Sequence, residues 1–187
     1  SKTISAQTLQ HRLNSQAMFY RQQTNEVMFN MLDSHDTERI LTVAKGNKNA
    51  VKSALAFMYL HCGTPCIYYG TEVGMAGGGD PDCRRVMPWD ERQQDQNMRK
   101  FMKELIAFRK AYQEHIIYGE RQIRVLDNQL LQVNLKQHGS ELVASYNSTG
   151  TPMTLEKTGK VVFGNMLSFA DKDIILAPDE FVVQLIS

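Results

Sequence analysis

The sequence of 187 residues contains no apolar run long enough to cross a membrane, and it has no marked excess of either charge, with 21 lysines and arginines against 20 aspartates and glutamates. A transmembrane helix needs about 20 apolar residues in succession, and nucleic acids or anionic membranes attract basic surfaces. We therefore expect neither a membrane nor a nucleic acid as a partner. The amino terminus has no secretory pattern and no initiator methionine, so we expect an excised or processed piece of a longer protein.

Cysteine is also scarce, with Cys62, Cys66 and Cys83 as the three examples. An odd number of cysteines argues against a disulfide framework, and the apolar surroundings of the first two favour buried free thiols. These features predict a reducing, cytoplasmic compartment. Cys62 and Cys66, with His61 beside them, give only a weak case for zinc. We expect no metal and no cofactor.

Apolar periodicity predicts three helices in the first 115 residues, at about 5–20, 51–61 and 98–112. Two apolar runs at 27–32 and 65–70 are typical of strands buried on both faces of a parallel sheet. A strand, a helix and a strand within about forty residues predict a right-handed parallel crossover. This part of the chain is therefore of the α/β class.

Beyond His115 the apolar residues alternate with polar ones, which is the period of a strand. Short runs separated by Gly, Asn and Asp turns predict an antiparallel β-sandwich or meander. The runs lie at 131–135, 142–146, 153–155, 160–163, 174–176 and 181–186. We therefore expect two domains, an α/β part at 1–117 and an all-β domain at 118–187.

Side chains suited to catalysis follow the first apolar run directly, with His35 and Asp36 among them. Active sites of α/β barrels are built at the carboxyl ends of the strands. A simpler interpretation is that Ser34 or Asp36 caps the following helix, and for a single junction that interpretation is favoured. A second cluster downstream changes the balance.

That second cluster belongs to a long irregular segment at 70–91. A loop of this length in a compact domain is usually functional or disordered. Met75, Val86, Met87 and Trp89 are anchors that a disordered segment would lack, so the segment is predicted to be ordered and functional.

Three motifs together carry a family resemblance. His35-Asp36 at a strand end is followed by GTPCIYYGTE at 63–72 and by GGGDPDCRR at 77–85, with MPW at 87–89. These motifs resemble the C-terminal third of α-amylase-family glycoside hydrolases. The resemblance is to the branch of neopullulanases, cyclomaltodextrinases and maltogenic amylases.

The resemblance implies a fold and a set of roles. Residues 1–117 would be the last part of a (β/α)8 catalytic barrel, and 118–187 the antiparallel β domain that follows it. Asp36 would stabilise the transition state, and His35 would hydrogen-bond sugar hydroxyls. Asp80 and Arg84 would bind the adjoining glucose unit.

The chemistry of these side chains agrees with such roles. Glycoside cleavage passes through an oxocarbenium-like state that a fixed carboxylate stabilises. A carboxylate–guanidinium pair such as Asp80 and Arg84 can grip vicinal hydroxyls, although a surface ion pair of little value is the alternative. Trp89, with Tyr68 and Tyr69, could stack on glucose rings or could simply be packed.

Part of the expected active site is absent from this sequence. A retaining glycosidase needs a nucleophile and an acid/base about 5 Å apart, and in the resembled family both lie on earlier strands. We therefore expect the C-terminal part of a retaining hydrolase acting on α-1,4 and α-1,6 linkages of maltodextrins, cyclomaltodextrins or pullulan. The chain alone should be inactive without the missing N-terminal part of the enzyme. Because its strand edges are unpaired, it should rearrange, pair with another copy as a homo-oligomer, or lean on the β domain.

Two other functions stay open. A non-catalytic carbohydrate-binding or assembly module would retain Asp80, Arg84 and the aromatic residues. A metal-dependent hydrolase would use His35, Asp36, Asp80 and Asp82, but this set has too few oxygen or histidine ligands for calcium or zinc.

Overall fold

A computed structural model describes residues 4–127, 130–166 and 172–187, together with the backbone of 168–169. The chain divides into two compact units. The central unit is Val27–Ala111, and the sheet unit combines the residues up to Glu26 with Tyr112–Ser187. No helix of the described residues is long and apolar enough to cross a bilayer.

The regular elements follow one another along the chain in this way. The helices are α1 (Ala6–Phe19), α2 (Gln22–Glu26), α3 (Ile40–Val43), α4 (Lys48–Tyr59), α5 (Gln96–Ala111) and α6 (Gln113–Tyr118). The strands are β1 (Phe29–Asn30), β2 (Thr64–Pro65), β3 (Glu120–Leu126), β4 (Leu130–Gln137), β5 (Ser140–Asn147), β6 (Met153–Glu156), β7 (Lys160–Gly164), β8 (Ser168–Phe169), β9 (Asp173–Leu176) and β10 (Phe181–Ile186). Single 3₁₀ turns occupy Thr71–Val73, Asp82–Arg84 and Glu91–Gln93.

The two strands of the central unit pair in parallel, as the crossover prediction requires, with Phe29 opposite Thr64. Both strands are two residues long, so the longer strands predicted at 27–32 and 65–70 are wrong. The prediction of burial on both faces is also wrong for the first run, because Val27 is 73% and Phe29 60% exposed. Within the described part of the chain β1 has a single partner strand, and a strand is buried on both faces only where other elements cover them.

The core of the central unit lies between α4 and α5, which pack on each other. Asn47 caps α4 by accepting a hydrogen bond from the Ala50 amide at 3.1 Å. Asp95 accepts from the Met98 amide at the start of α5 at 3.0 Å and forms an ion pair of 2.6 Å with Lys48. Both predicted helices are confirmed. Their buried side chains include Val51, Leu55 and Met58 on α4 and Met98, Phe101, Met102, Leu105 and Phe108 on α5.

The sheet unit contains a five-stranded antiparallel sheet, β3-β4-β5-β10-β7, and a three-stranded one, β6-β9-β8. All six predicted strands are confirmed. The sequence did not predict β3, β8 or α6. Only three of the seven residues of β3 are apolar (Ile123, Val125 and Leu126), so its alternation was too weak to identify.

Apolar side chains of the two sheets meet in one cluster. Leu130 and Val182 from the large sheet are buried with Ile174 and Leu176 from the small sheet. On the opposite face α1 packs on β3 and β4, and α6 packs on β4. Gln10 of α1 donates to the Ile123 carbonyl at 2.8 Å. The first helix therefore belongs to the sheet unit, and the predicted domain boundary at 117/118 stays a prediction.

Candidate functional site

The loop that follows β1 is held by a buried carboxylate. Asp33 is 4% exposed and accepts hydrogen bonds from Thr71 Oγ1 at 2.8 Å and from the Ile40 amide at 3.0 Å. The second bond satisfies the first amide of α3, whose N-cap residue is Arg39. Ser34 and Asp36 therefore do not cap this helix, and the simpler interpretation of the strand end is wrong. The Ser34 hydroxyl instead accepts a hydrogen bond from the Asp36 amide at 3.2 Å.

Four of the five predicted site residues lie together on the surface. His35 Nε2 is 3.2 Å from Asp36 Oδ2, and Arg84 Nη2 is 3.5 Å from Asp36 Oδ1. Arg84 Nε is 3.1 Å from Asp80 Oδ1 and donates to the His35 carbonyl oxygen at 3.0 Å. The side chains of His35 and Asp36 are 64% and 68% exposed. This His35–Asp36–Asp80–Arg84 group is named the Arg84 cluster.

Trp89, the fifth predicted residue, stands apart from these contacts and is 80% exposed. Val86 is 85% exposed, so the prediction that these two side chains anchor the long segment is wrong. The tyrosines pack instead: the rings of Tyr68 and Tyr69 meet edge to face at 4.6 Å. Tyr69 also donates its hydroxyl to the Arg85 carbonyl at 2.6 Å. The exposed indole of Trp89 can stack on a sugar ring. Other residues must anchor the segment at 70–91.

Cys83 is one of those anchors. It is fully buried, and its thiol donates to the His35 carbonyl oxygen at 3.2 Å. Two neighbouring residues, Cys83 and Arg84, thus bind the same carbonyl and fix the 3₁₀ turn Asp82–Arg84 beside the strand end. Cys62 and Cys66 are free thiols but only partly buried, which corrects the prediction of full burial.

The other anchor is Arg39, to which the sequence analysis assigned no role. Its side chain is completely buried, and it donates from Nε to the Cys83 carbonyl at 2.9 Å and from Nη1 to the Tyr69 carbonyl. The guanidinium lies 4.3 Å from the centre of the Tyr68 ring and 4.7 Å from that of Tyr69. Its Nη2 atom has no hydrogen-bond partner among the described residues. Nothing in the sequence beyond its place after His35-Asp36 indicated this role.

The glycine-rich stretch makes room for this arrangement. A Cβ atom on Gly77 would lie 2.7 Å from the Asp82 carbonyl oxygen and 3.2 Å from Arg39 Cγ. The Gly77 carbonyl accepts from the Arg39 amide at 2.9 Å, and its amide donates to Thr42 Oγ1 at 2.8 Å. Gly77 is therefore required for close approach of two backbone segments.

Both oxygens of the Asp82 carboxylate accept hydrogen bonds within the glycine-rich segment. Its Oδ2 accepts from the Gly78 amide at 2.6 Å and its Oδ1 accepts from Arg85 Nε at 2.6 Å. The Gly78 hydrogen bond, followed by the bond to Arg85, lowers the pKa of the Asp82 carboxyl. Asp82 therefore orders the glycine-rich loop.

The Arg84 cluster presents an imidazole, two carboxylates and a guanidinium on one open surface. Sugar hydroxyls both donate and accept hydrogen bonds, and a planar guanidinium with adjacent carboxylates offers both partners at fixed spacing. The surface suits binding of a neutral polyhydroxyl ligand, with Asp36 as a fixed negative charge.

Comparisons with known proteins identify relatives of this chain. The family model described as "Alpha amylase, catalytic domain" matches residues 2–141. The chain is 46% identical over 127 residues to an intracellular maltogenic amylase of Bacillus subtilis (strain 168), covering 68% of this chain and 22% of that protein. It is 39% identical over 161 residues to a cyclomaltodextrinase of Geobacillus thermopakistaniensis (strain MAS1), covering 83% and 26%.

A solved structure supports the same grouping. The ligand-free cyclic α-maltosyl-(1→6)-maltose hydrolase of Arthrobacter globiformis matches with a TM-score of 0.82 at 26% identity, over 97% of this chain and 39% of that one. This agreement fits part of a barrel joined to a β domain. The chain spans about a quarter of the length of the curated relatives.

Proposed function

The chain belongs to the alpha-amylase catalytic-domain family, and from this membership we propose that it is the C-terminal part of a retaining α-glucan hydrolase of the neopullulanase type. The substrates are maltodextrins, cyclomaltodextrins or pullulan, in which the enzyme cleaves α-1,4 and α-1,6 linkages. The names of the relatives, a maltogenic amylase and a cyclomaltodextrinase, support this substrate class.

One observation carries the proposal. Arg84 lies beside both Asp36 and Asp80 and donates to the carbonyl of His35, so a single side chain joins all the residues proposed to hold two adjoining glucose units. A surface ion pair between Asp80 and Arg84 alone would not need the further contacts with the strand end. The pair is therefore better explained as part of a binding surface than as an isolated ion pair.

In the proposed reaction Asp36 lies beside the ring on which positive charge develops. A carboxylate held in place stabilises an oxocarbenium-like transition state, and hydrogen bonds to ring hydroxyls that strengthen there lower the barrier further. The His35 imidazole supplies such hydrogen bonds. Asp80 and Arg84 position the neighbouring unit, and the exposed indole of Trp89 stacks on a further ring.

The nucleophile and the general acid/base come from the rest of the enzyme. The two carboxylates of the Arg84 cluster, Asp36 and Asp80, both contact Arg84 and are assigned here to transition-state stabilisation and to binding of the neighbouring unit, which leaves neither for those two roles. The chain alone therefore binds glucan without cleaving it. Its partners are the missing N-terminal part of the enzyme and, through the exposed β1 strand, a possible second copy.

A non-catalytic carbohydrate-binding module is the second candidate function. The same contacts of Arg84 with two carboxylates favour it, because they form a binding surface that needs no further group. The two candidates differ in whether an N-terminal barrel part restores hydrolysis. For either one we propose a cytoplasmic location, supported by the name of the intracellular relative.

The test is reducing-sugar release from β-cyclomaltodextrin and maltotriose. We expect none from the chain alone, and release when the chain is combined with the N-terminal part of a relative. Asp36→Ala should abolish that restored activity, whereas Asp173→Ala, at the exposed start of β9, should leave it intact. Activity of the chain alone that is lost in Asp36→Ala would contradict the assignment of the missing carboxylates. Restored activity that survives Asp36→Ala would contradict the role of Asp36.

A further inference from the structure

The five-stranded sheet has a second polar surface, remote in sequence from the Arg84 cluster. Residues at even spacing along a strand share a face, so Asn134 and Lys136 project to the same side of β4 as Leu130, which is buried against the small sheet. The small sheet packs against this side of the large sheet at Leu130 and Val182. Toward β3 the same side becomes polar and lines an open surface cavity of about 200 Å³.

Six polar residues from three adjacent strands line this cavity. The register places Lys136 opposite both Glu120 and Glu141, and Gln122 opposite Asn134. Directly opposed residues project from the same face at close range. The complete lining is Glu120, Gln122, Arg124, Asn134, Lys136 and Glu141, and we name it the β3–β5 cavity.

Five of these six side chains hydrogen-bond in two separate sets, one between β4 and β5 and the other along β3. Asn134 Nδ2 donates to Glu141 Oε1 at 2.6 Å, Gln122 Nε2 donates to Glu120 Oε1 at 3.4 Å, and Arg124 donates to Gln122 Oε1. The two side-chain amides of the lining are therefore already paired with neighbouring charged groups.

One acceptor in the network is left over. Asn134 is 7% exposed, and its Oδ1 atom is buried without a hydrogen-bond partner among the described residues. Buried polar atoms in native proteins are nearly always paired. An acceptor left unpaired beside a polar cavity indicates that a hydrogen-bond donor belongs there. Oδ1 is covered in the structure, so the donor reaches it when neighbouring side chains rotate.

The charges of the lining decide the class of ligand. The two carboxylates disfavour binding of an anion, and the positive charges of Arg124 and Lys136 disfavour binding of a metal cation. The two negative and two positive charges give the lining a net charge of zero. Alternating donors and acceptors suit a neutral molecule with several hydroxyls, each of which can donate one hydrogen bond and accept two.

We propose that the β3–β5 cavity is a second carbohydrate site, which binds one glucose unit of an α-glucan outside the Arg84 cluster. The choice of an α-glucan rests on the proposed function, whereas the neutral polyhydroxyl class rests on the cavity alone. A sugar hydroxyl donates to Asn134 Oδ1, and Lys136 with Glu141 binds the neighbouring hydroxyls.

The test is a titration of the full chain with maltotriose, in which the amide chemical shifts are monitored by ¹⁵N NMR spectroscopy. We expect two groups of shifts, one at 33–39 and 77–85 and one on β3, β4 and β5. Lys136→Met, at an exposed position, should weaken the second group at least tenfold and leave the first unchanged. Asn134→Leu should do the same, and its spectrum must first show an intact sheet.

The matched control is Lys160→Met, which removes an exposed lysine from β7 of the same sheet. Arg84→Met separates the two proposals: loss of the first group alone supports two independent sites. If wild-type chain shows the first group without the second, the second site is wrong and the proposed function is untouched. If the wild-type chain shows the second group of shifts without the first, sugar binding at the Arg84 cluster is contradicted while the cavity proposal stands.

Two further titrations test the class of ligand. Inorganic phosphate and calcium chloride should each shift the cavity amides less than maltotriose does. A larger response to either ion, or sugar binding that survives both Lys136→Met and Asn134→Leu, would overturn the proposal.

Discussion

Arg84 Nε donates to the main-chain oxygen of His35 at 3.0 Å. This bond joins the glycine-rich segment to the loop after β1, so residues that lie 49 positions apart in the sequence form one surface. Cys83 donates to the same oxygen, and the buried Arg39 side chain donates to the Cys83 carbonyl oxygen. The exposed binding groups thus stand on a buried layer that fixes their spacing.

Arg84→Lys should weaken maltotriose binding at the Arg84 cluster by about tenfold, the loss expected from one charge-assisted hydrogen bond. An ammonium is a single charge without the planar fork of a guanidinium, so it cannot contact His35, Asp36 and Asp80 with the same geometry. The measurement is isothermal titration calorimetry at low salt.

Arg92→Lys is the matched control, because Arg92 pairs with Asp90 at the surface. It should leave the affinity unchanged. An unaltered affinity in Arg84→Lys would show that the guanidinium geometry has no part in binding.

Gly77→Ala should distort the site, since its Cβ would lie 2.7 Å from the carbonyl oxygen of Asp82. That neighbour is main chain and cannot rotate away, so the Asp82–Arg84 turn must shift and carry Arg84 with it. We expect a loss of stability of about 1–3 kcal/mol, as for other overpacked sites, measured by urea unfolding.

Gly79→Ala provides the comparison within the same loop. A Cβ on Gly79 would have no neighbour within 4 Å, and the substitution should change stability by less than about 1 kcal/mol. Equal effects of the two substitutions would mean that loop flexibility, and not close approach, explains the requirement for Gly77.

The sequence predicted the elements that have their own periodicity. α4, α5 and the alternating strands of the sheet unit follow from local patterns of apolar residues. It failed where burial depends on neighbours: Val27 and Phe29 look like core residues but are exposed, because a strand is buried only when other strands and helices flank it.

The site was predicted in part for a similar reason. His35, Asp36, Asp80 and Arg84 were identified because they lie in a recognisable motif, and the structure brings them together. Trp89 was expected to anchor the segment, because a disordered segment would lack such apolar side chains, yet it is exposed. Arg39 went unrecognised, since a buried arginine bound to main-chain carbonyls leaves no local pattern.

Acid should loosen the glycine-rich loop through Asp82. Because the pKa of Asp82 is lowered in the folded chain, its stabilising contribution is present above the ordinary aspartate pKa and is lost as the pH falls through the lower folded value. The Gly78 amide donates to this carboxylate, so its hydrogen exchange should report the change.

The experiment compares Gly78 exchange, corrected for intrinsic rates, at about pH 5 and below pH 3. We expect protection to fall with acidification in the wild type and to be weak at both values in Asp82→Asn. Protection that is independent of pH in the wild type would contradict the assignment. The Asn134 and Lys136 amides on β4 serve as an internal reference.

Arg39→Met should destabilise the central unit by about 2–4 kcal/mol. The substitution leaves the carbonyls of Cys83 and Tyr69 without their donor, and each unpaired buried acceptor costs about 1–3 kcal/mol. It also removes the stacking of the guanidinium on two tyrosine rings. The methionine side chain offsets part of the loss, because it fills the space and removes a buried charge whose Nη2 has no partner in the described part of the chain.

Urea unfolding followed by far-ultraviolet circular dichroism gives the stability, and maltotriose titration gives the effect on the site. Arg92→Met is the control for loss of an arginine at the surface, and it should change neither measurement. Arg39→Lys should be intermediate, because an ammonium retains the charge but cannot reach both carbonyls in one plane. A loss below about 1 kcal/mol in Arg39→Met would mean that Cys83 and its thiol contact with His35 suffice to hold the loop, and that the buried guanidinium adds little to it.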